Sequence, residues 1–222
     1  MKLKLLSSTP NSKRVAFAAI RSCYSPGNAE KLFFEEYEKY AAREGDDVMR
    51  LIKEIVNHGH TSTLEHITYT FAVQDLSRAC LGQLTRHRVG WSYSVQSQRY
   101  VKQSRKSKHG EAGFVYPALK YLDDDKRDRA GRILGNVVNV CQDSYDALVA
   151  LGVKAEDARS VLPINCTCNL TVSCNLRAFL DFWSKRKPGT HAQEEIQELA
   201  SMMKDAIVGK DEWVKYLLEG DE

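Results

Sequence analysis

The chain has 222 residues, and its 32 lysines and arginines against 29 aspartates and glutamates give a formal net charge of +3. Apolar residues make up 43% and charged residues 27%, values that are typical of globular proteins and exclude wholesale disorder. No stretch approaches the roughly 20 apolar residues of a membrane helix, so no membrane association is expected. The first apolar stretch is too short for a secretory signal, and we therefore expect a cytoplasmic protein.

The positive charge is concentrated in one segment. Between Leu76 and Gly110 the chain has eight basic side chains and no acidic one, which leaves 24 basic and 29 acidic groups for the other 187 residues, a balance of −5. A protein that coats nucleic acid without sequence preference would usually carry its positive charge over a whole face or in a tail. The concentration of charge in one segment therefore favours a single anion-binding site. The basic residues are Arg78, Arg86, Arg88, Arg99, Lys102, Arg105, Lys106 and Lys108.

The cysteines indicate neither a zinc site nor a disulfide framework, because no Cys-x-x-Cys pair occurs. Without a secretory signal, they are expected to be reduced and buried as small hydrophobic side chains. They are Cys23, Cys80, Cys141, Cys166, Cys168 and Cys174.

The first elements in chain order are a strand over 2–6 and a helix to about Tyr24. Thr9-Pro10 has the residue types of an N-cap and first helical position, so the helix is expected to begin there. Two further helices are predicted over 29–43 and 46–57, separated at Gly45.

After His60 the hydrophobic period changes to two, which predicts a half-buried strand over 65–73. A second strand with the same period is predicted over 165–173. The side chains expected on the buried faces are Ile67, Tyr69, Phe71 and Val73 in the first strand and Cys166, Cys168, Leu170 and Val172 in the second.

Helical periods recur in the rest of the chain, apart from residues 86–110, which predict a mostly irregular loop. The strands are too few for a doubly wound parallel sheet, so the element order predicts an α+β fold, with a mixed or antiparallel sheet covered by helices, in one domain over 1–222. The helices are predicted over 75–87, 123–151, 154–161, 175–186 and 191–208. The apolar face of the long helix is expected to comprise Ile133, Leu134, Val137, Val138, Cys141, Tyr145 and Leu148.

The strongest chemical cluster is Arg86-His87-Arg88 with the serines that follow it and Arg99-Tyr100. Guanidinium groups bind phosphate in a bidentate manner, and serine hydroxyls and loop amides add hydrogen bonds. A solvated basic loop is the alternative. The interleaved serines, Ser92, Ser94 and Ser97, and the absence of acidic residues favour an anion pocket.

A second cluster comprises His58, His60, Glu65 and His66. The zincin pattern His-Glu-x-x-His is absent, and on a strand Glu65 and His66 would point to opposite faces. No metal site is therefore expected, and polar donors to a ligand are favoured over a structural turn. The Gly-x-Ser-x-Gly motif, the phosphate-binding loop and the Gly-x-Gly-x-x-Gly fingerprint are also absent.

Four blocks together carry a resemblance. The stretch from Arg86-His87-Arg88 to Ser97-Gln-Arg99-Tyr100 resembles the signature loop of the flavin-dependent thymidylate synthases. The other blocks agree in order and spacing, and the resemblance is strongest over 45–205. They are His58-Gly-His60 with Glu65-His66, Ala158-Arg159-Ser-Val-Leu-Pro163, and Arg186 with His191-Ala-Gln193-x-Glu-Ile196.

The resemblance implies a homotetrameric methyltransferase that converts dUMP to dTMP with FAD, methylenetetrahydrofolate as carbon donor and NADPH as reductant. Arg186 and Ser97 are the residues it implies in catalysis, with Arg186 over the pyrimidine and Ser97 favoured as a positioning group. The residues implied to bind dUMP are Gln83, Arg86, Ser97, Gln98, Arg99, Arg159 and Arg186. Those implied to bind FAD are His60, Ser62, Arg86, His87, Arg88, Asn175 and Arg177.

The sequence departs from the family pattern in the signature loop. Eight residues rather than seven separate the Arg-His-Arg triplet from Ser97, and we place the extra residue near Gly90-Trp91. Val95 replaces a common acidic or amide residue, and Asp181 replaces a common amide. Another residue is inserted between Arg186 and His191.

Two other functions remain open at this point. The 86–110 segment could form a single-stranded nucleic-acid groove with Trp91, Tyr93 and Tyr100 as stacking platforms. The chain could also be a catalytically inactive relative that serves as a structural subunit.

Overall fold

The structure is a computed structural model that describes residues 1–43, 45–106 and 112–218, so Lys108 lies outside the described residues. Four strands form one antiparallel sheet in the order β1-β2-β4-β3, with helices over much of the remaining chain, which confirms the α+β class. The strands are β1 (Lys2–Ser8), β2 (Thr68–Ser77), β3 (Trp91–Val95) and β4 (Thr167–Asn175).

The helices agree with the predicted order. Short 3-10 turns cover Thr61–His66, Arg159–Val161 and Glu212–Val214, and a π turn at Leu32–Glu36 joins two α-helical pieces. The α-helices of the described part are α1 (Ser12–Ser22), α2 (Ala29–Lys31), α3 (Tyr37–Ala41), α4 (Asp47–Asn57), α5 (Arg78–Leu84), α6 (Asp124–Ala150), α7 (Ala155–Ala158), α8 (Leu176–Arg186), α9 (Glu194–Lys210) and α10 (Lys215–Leu218).

The chain divides into two compact units, each assembled from separate segments. All four strands contribute residues to both, and the single domain expected over 1–222 stays a prediction. Unit 1 comprises the described residues of Met1–Lys2, Val73–Arg86 and Ser94–Thr171. Unit 2 comprises those of Leu3–Ala72, His87–Tyr93 and 172–218.

The buried faces predicted for the two long strands are confirmed. The four side chains predicted for the first strand are at most 1% exposed, and those predicted for the second at most 5%. Ile67 and Cys166 directly precede β2 and β4, because β4 runs over Thr167–Asn175 and not over the predicted 165–173. A period of two in the sequence thus identified the residues that anchor the sheet in the core.

The C-terminal segment is held in unit 2 by a hydrogen-bonded network around Asp211. The Asp211 carboxylate accepts from Tyr69 Oη at 2.7 Å and from Ser12 Oγ at 2.6 Å. Trp213 Nε1 in turn donates to Ser12 Oγ at 2.9 Å. Each polar group in this network therefore has a partner, and the network ties the end of α9 to α1 and β2.

The predicted start of the first helix is wrong. Helix α1 begins at Ser12 after Asn11, whose φ of 51° lies in the left-handed region. Thr9 instead extends the pairing with β2, because its backbone N donates to Thr68 O at 3.0 Å and its Oγ1 accepts from Thr68 N at 2.9 Å. The Thr9 hydroxyl is therefore engaged with Thr68 and does not cap the first turn of α1.

The boundaries around β2 also differ from the prediction. Glu65 and His66 belong to the 3-10 turn before the strand. The prediction that the strand begins at Glu65, with these two side chains on opposite faces of the sheet, is therefore wrong. At its other end, β2 continues to Ser77, which caps α5 by accepting from Cys80 N at 2.9 Å. The helix expected over 75–87 is consequently shorter at both ends.

The 86–110 segment is not wholly irregular, because it contains strand β3. Within it, Trp91, Tyr93 and Val95 are half-buried and alternate with the exposed Ser92 and Ser94. The same period-two signal was present in the sequence, but the surrounding basic residues obscured it.

The predicted apolar face of α6 is only partly correct. Val138 and Tyr145 are buried as expected, whereas Ile133 and Val137 are 64% and 51% exposed. Val140 is also 64% exposed, so these three residues form an exposed apolar stripe at positions i, i+4 and i+7.

Candidate functional site

The two sets of implied ligand residues fall into different units. Apart from Arg186, every residue implied to bind dUMP lies in unit 1. Apart from Arg86, every residue implied to bind FAD lies in unit 2. The division passes through the signature triplet itself, because Arg86 ends one segment of unit 1 and His87 begins one segment of unit 2.

Ser97 opens a tight turn in unit 1. Its carbonyl accepts from Val101 N at 2.9 Å, and its Oγ accepts from Arg99 N at 3.2 Å. The preceding residue, Gln96, is anchored at both ends of its backbone, since its N donates to Asn169 O at 2.8 Å and its O accepts from Arg78 Nη2 at 3.1 Å. The turn therefore extends from a fixed strand end.

Gln98 turns its side chain into the core of unit 1. It is 6% exposed, and its Nε2 donates to Cys166 Sγ at 3.4 Å. The side chain of Gln98 is thus committed to packing, which leaves the backbone of this residue as the part that can face a ligand.

The exposed Arg99 and Arg159 meet at a residue that the sequence did not single out, Glu156. Arg99 Nε donates to Glu156 Oε2 at 2.7 Å, and Arg159 Nε donates to the Glu156 carbonyl at 3.1 Å. No local signal in the sequence identified it, because its carboxylate pairs with an arginine 57 positions earlier and Arg159 contacts its backbone. Each guanidinium is planar and can donate to an anion in a bidentate manner.

Gln83 and Arg86 stand at the end of α5. The Gln83 side chain is half-buried, and its carbonyl accepts from Arg86 N at 3.4 Å. Arg86 is exposed and has no ion-pair partner in the part of the chain that the structure describes. Its charge is therefore open to an external anion.

In unit 2, Arg186 and His87 are in direct contact. Arg186 Nε donates to His87 Nε2 at 3.3 Å, and the His87 ring packs edge-on against Phe182 at 5.0 Å. Because arginine has only donors, His87 must accept through Nε2 as a neutral imidazole. The guanidinium has no carboxylate partner among the described residues, so its full charge is retained.

The backbone after the triplet packs closely against the start of α8. Asn175 caps this helix by accepting from Ala178 N at 2.8 Å, and its own N donates to Gly90 O at 3.0 Å. Gly90 has a φ of +74°, and a Cβ there would lie 2.6 Å from Asn175 Nδ2. Only glycine combines this conformation with this approach.

The exposed Ser62 lies in the 3-10 turn that contacts α8, and the exposed His60 immediately precedes this turn. On α8, Arg177 forms an ion pair with Glu65 of the same turn. The exposed Arg88 lies in the same unit and has no ion-pair partner among residues 1–43, 45–106 and 112–218. The contact between α8 and the turn thus gathers residues from sequence blocks more than a hundred positions apart.

The structure shows the surroundings of two residues at which the chain departs from the family pattern. Asp181 is exposed and pairs with Lys185 at 2.7 Å, so its carboxylate is already neutralised within α8. Val95 is half-buried at the end of β3 and offers no polar group.

The donor set fits a phosphorylated cofactor better than a metal ion. Arg86 and Arg88 are exposed cations without carboxylate partners in the described structure, which suits the pyrophosphate of a dinucleotide. Across the described residues, no three His, Cys, Asp or Glu side chains are arranged to hold a metal.

The cysteines have the wrong surroundings for a nucleophile. Burial raises the pKa of the Cys166 thiol to about 11 and also raises the pKa of Cys174. Cys80 and Cys168 are buried as expected, but Cys23 is exposed and Cys141 is half-buried, which corrects the expectation for these two.

The aromatic residues of the nucleic-acid alternative are not a row of separate platforms. Trp91 stacks on Tyr93 with centroids 5.9 Å apart and planes 6° apart, while Tyr100 is 80% exposed. Burial raises the pKa of Tyr93, whose Oη donates to His87 O at 2.6 Å.

Within the described chain, no helix is long and apolar enough to cross a membrane.

Comparison with known proteins identifies the family. Residues 4–210 match the family model described as thymidylate synthase complementing protein. The flavin-dependent thymidylate synthase of Geobacter sulfurreducens is 35% identical over 209 residues, covering 94% of this chain and 83% of that protein. The corresponding protein of Clostridium tetani is 32% identical and covers 91% of this chain and 80% of its own length.

Solved structures agree. The Helicobacter pylori flavin-dependent thymidylate synthase ThyX, complexed with FAD and dUMP, superposes with a TM-score of 0.72 at 28% identity, covering 99% of this chain and 98% of that one. A UMP/dUMP methylase from Streptomyces cacaoi shares the fold, with a TM-score of 0.77 at 24% identity over 96% of this chain and 94% of that one. These relatives give the nucleic-acid alternative no support. The chain belongs to the flavin-dependent thymidylate synthase family.

Proposed function

We propose that the chain catalyses the reductive methylation of dUMP to dTMP. In the balanced reaction, dUMP, methylenetetrahydrofolate, NADPH and a proton give dTMP, tetrahydrofolate and NADP⁺. The observation that carries the proposal is the Arg186–His87 contact, because it joins two of the family's sequence blocks, 99 positions apart, in one arrangement.

The residues assigned to dUMP are suited to a phosphate and a pyrimidine. Arg99 is assigned to the phosphate, and Arg159 lies beside it on Glu156. The exposed Arg99–Glu156 pair contributes only about 0–1 kcal/mol, so a doubly charged phosphate can displace the carboxylate. Gln83 and the backbone of Gln98 then contact the nucleotide.

Arg186 activates the pyrimidine electrostatically. Methylation at C5 of uracil develops negative charge on the ring, and a fixed, uncompensated guanidinium stabilises that charge. The neutral His87 holds Arg186 by a hydrogen bond without cancelling its charge. No cysteine thiolate is needed for this route.

Ser97 positions the nucleotide and does not attack it. A serine nucleophile needs a base within hydrogen-bond reach. The hydroxyl of Ser97 instead accepts from Arg99 N at 3.2 Å, so it shapes the phosphate-binding turn.

The cofactor is FAD, which carries the reducing equivalents of NADPH to the transferred carbon when it is bound. Arg86 and Arg88 would supply positive charge to its phosphate groups, and His87 and Asn175 would order the backbone beside it. His60 and Ser62 at the 3-10 turn, and Arg177 on the helix α8 that contacts this turn, complete the set.

The functional protein is a homotetramer in the cytoplasm. The support for association is the exposed stripe of Ile133, Val137 and Val140 on α6, since apolar residues at this spacing mark a helix face that another surface covers. Light scattering should give four chains for the parent protein and fewer for Val137→Lys.

The function is tested by purification and spectroscopy. The protein should bind FAD and turn yellow, lose this colour on adding NADPH without oxygen, and regain it when dUMP and methylenetetrahydrofolate are added together. A folded preparation that cannot be loaded with FAD contradicts the proposal. A preparation that binds FAD but forms no dTMP identifies an inactive relative.

A further inference from the structure

Arg78 sits at the junction of β2 and α5, outside the set of residues assigned to any ligand. Its Nη2 donates to the carbonyl of Gln96 at 3.1 Å, and its backbone N donates to the carbonyl of Cys166 at 3.0 Å. Gln96 is also held from its other side by Asn169 O at 2.8 Å. The guanidinium therefore fixes the residue immediately before Ser97.

A guanidinium group at position 78 is not explained by packing alone. Its Nε is buried and has no hydrogen-bond partner, and no carboxylate pairs with the side chain in the described part of the chain. An apolar side chain of similar length would fill the space without leaving a buried donor unsatisfied. The feature that distinguishes arginine here is its directed donor to Gln96.

The other end of the same short segment is fixed through Cys166. Gln98 is 6% exposed and donates through Nε2 to Cys166 Sγ at 3.4 Å. The same cysteine is bonded to Arg78, whose backbone N donates to the Cys166 carbonyl at 3.0 Å, and the positive charge of Arg78 opposes the effect of burial on the pKa of the Cys166 thiol. Arg78 and Gln98 thus hold the backbone on both sides of Ser97.

We propose that Arg78 is a positioning residue for dUMP binding, which sets the register of the Ser97–Arg99 turn through its hydrogen bond to Gln96. The proposal rests on the proposed function, because Ser97 and Arg99 contact dUMP only if that function is correct. A lysine cannot replace the arginine, because a single ammonium on a flexible chain lacks the planar, rigid set of donors.

The test compares Arg78→Met and Arg78→Lys with Arg105→Met. Arg105 belongs to the same basic segment but is exposed and paired with Asp143, so its replacement removes an equal charge without touching the turn. Both Arg78 variants should raise the KM for dUMP by about ten- to a hundredfold, with a smaller change in kcat. Bound FAD and melting temperature should stay at parental values, and Arg105→Met should keep the parental KM.

Each other outcome overturns the inference. A parental KM in a folded Arg78→Met protein removes the positioning role, and an equal rise in Arg105→Met assigns the effect to general attraction of anions. If Arg78→Met does not fold, Arg78→Lys decides by the same readouts, and failure of both to fold shows a purely structural requirement. An inactive parent protein would instead refute the proposed function.

Discussion

Arg186 Nε lies 3.3 Å from His87 Nε2, and this hydrogen bond joins the end of α8 to the middle of the signature triplet. The direction of the bond fixes the charge state of the pair, because the arginine donates and the histidine must accept. A neutral partner leaves Arg186 fully cationic. A carboxylate in the place of His87 would cancel the charge that the pyrimidine needs.

Replacing Arg186 by alanine should greatly slow dTMP formation while the protein keeps its fold and its bound FAD. The reason is that the variant loses the positive charge facing the pyrimidine, and removal of a fixed electrostatic contact costs about a hundred- to a thousandfold in rate. The measurement is single-turnover dTMP formation, with circular dichroism as the folding control.

Lys185→Ala is the matched control for Arg186→Ala. Lys185 is the adjacent cation on α8, but it is paired with Asp181 at 2.7 Å. Its loss should leave the rate within about twofold of the parent, since exposed pairs contribute little. Retained synthesis in Arg186→Ala would refute the role given to that arginine.

Arg99→Met should weaken binding of dUMP specifically through its phosphate. The expected rise in KM is about ten- to a hundredfold for dUMP, because a charge-assisted contact is lost. Deoxyuridine lacks the phosphate, so its turnover should be unchanged. A variant that still prefers dUMP over deoxyuridine as strongly as the parent would show that Arg99 is not the phosphate ligand.

Gly90→Ala should lower FAD binding and stability together. The new Cβ would meet Asn175 Nδ2 at 2.6 Å and Ala178 Cβ at 2.8 Å, at a φ of +74° that disfavours alanine. We expect a loss of about 1–3 kcal/mol in the free energy of unfolding, measured with urea.

Gly135→Ala is the matched control for Gly90→Ala, and its effect on the free energy of unfolding should have the opposite sign. A Cβ at Gly135 meets nothing within 4 Å, and the residue lies inside α6. Alanine there should stabilise the protein by about 0.4–1 kcal/mol. Equal effects of the two substitutions would contradict the close packing at Gly90.

The free energy of unfolding should fall at alkaline pH. Burial raises the pKa of Cys166 from 9.0 to about 11, so above pH 9 the unfolded chain releases a proton that the folded chain keeps. The loss begins near the unfolded pKa and ends near the folded one, and at pH 10 this thiol should account for about 1 kcal/mol. Urea titrations of the parent and Cys166→Ala at pH 8 and pH 10 measure it, and parallel slopes for both proteins would refute the assignment.

The sequence predicted those parts of the fold whose pattern is local. Alternation identified the buried faces of β2 and β4, because side chains of a strand alternate between faces. The same signal in Trp91, Tyr93 and Val95 was overlooked among basic residues. The start of α1 was misplaced because Thr9 pairs with Thr68 instead of capping the helix, and no local pattern shows that.

The candidate site could be predicted as a set of residues but not as an arrangement. The co-linear blocks named Arg99 and Arg159, yet Glu156 between them became visible only as the group that both contact. The role of Arg78 depends on its hydrogen bond to the carbonyl of Gln96, 18 positions later. Asp211 likewise accepts from Tyr69, which lies 142 positions earlier. Such contacts follow from tertiary packing, which periodicity does not encode.

The most direct test of the central claim is to follow the transferred carbon. The FAD-loaded protein is incubated with dUMP, NADPH and methylenetetrahydrofolate that carries an isotopic label in its methylene group, and the nucleotides are analysed by mass spectrometry. We predict labelled dTMP in the complete mixture and none when NADPH or the folate is omitted. When Arg186→Ala replaces the parent, labelled dTMP should form about a hundred- to a thousandfold more slowly. A folded, FAD-loaded parent protein that leaves dUMP unmethylated would contradict the account.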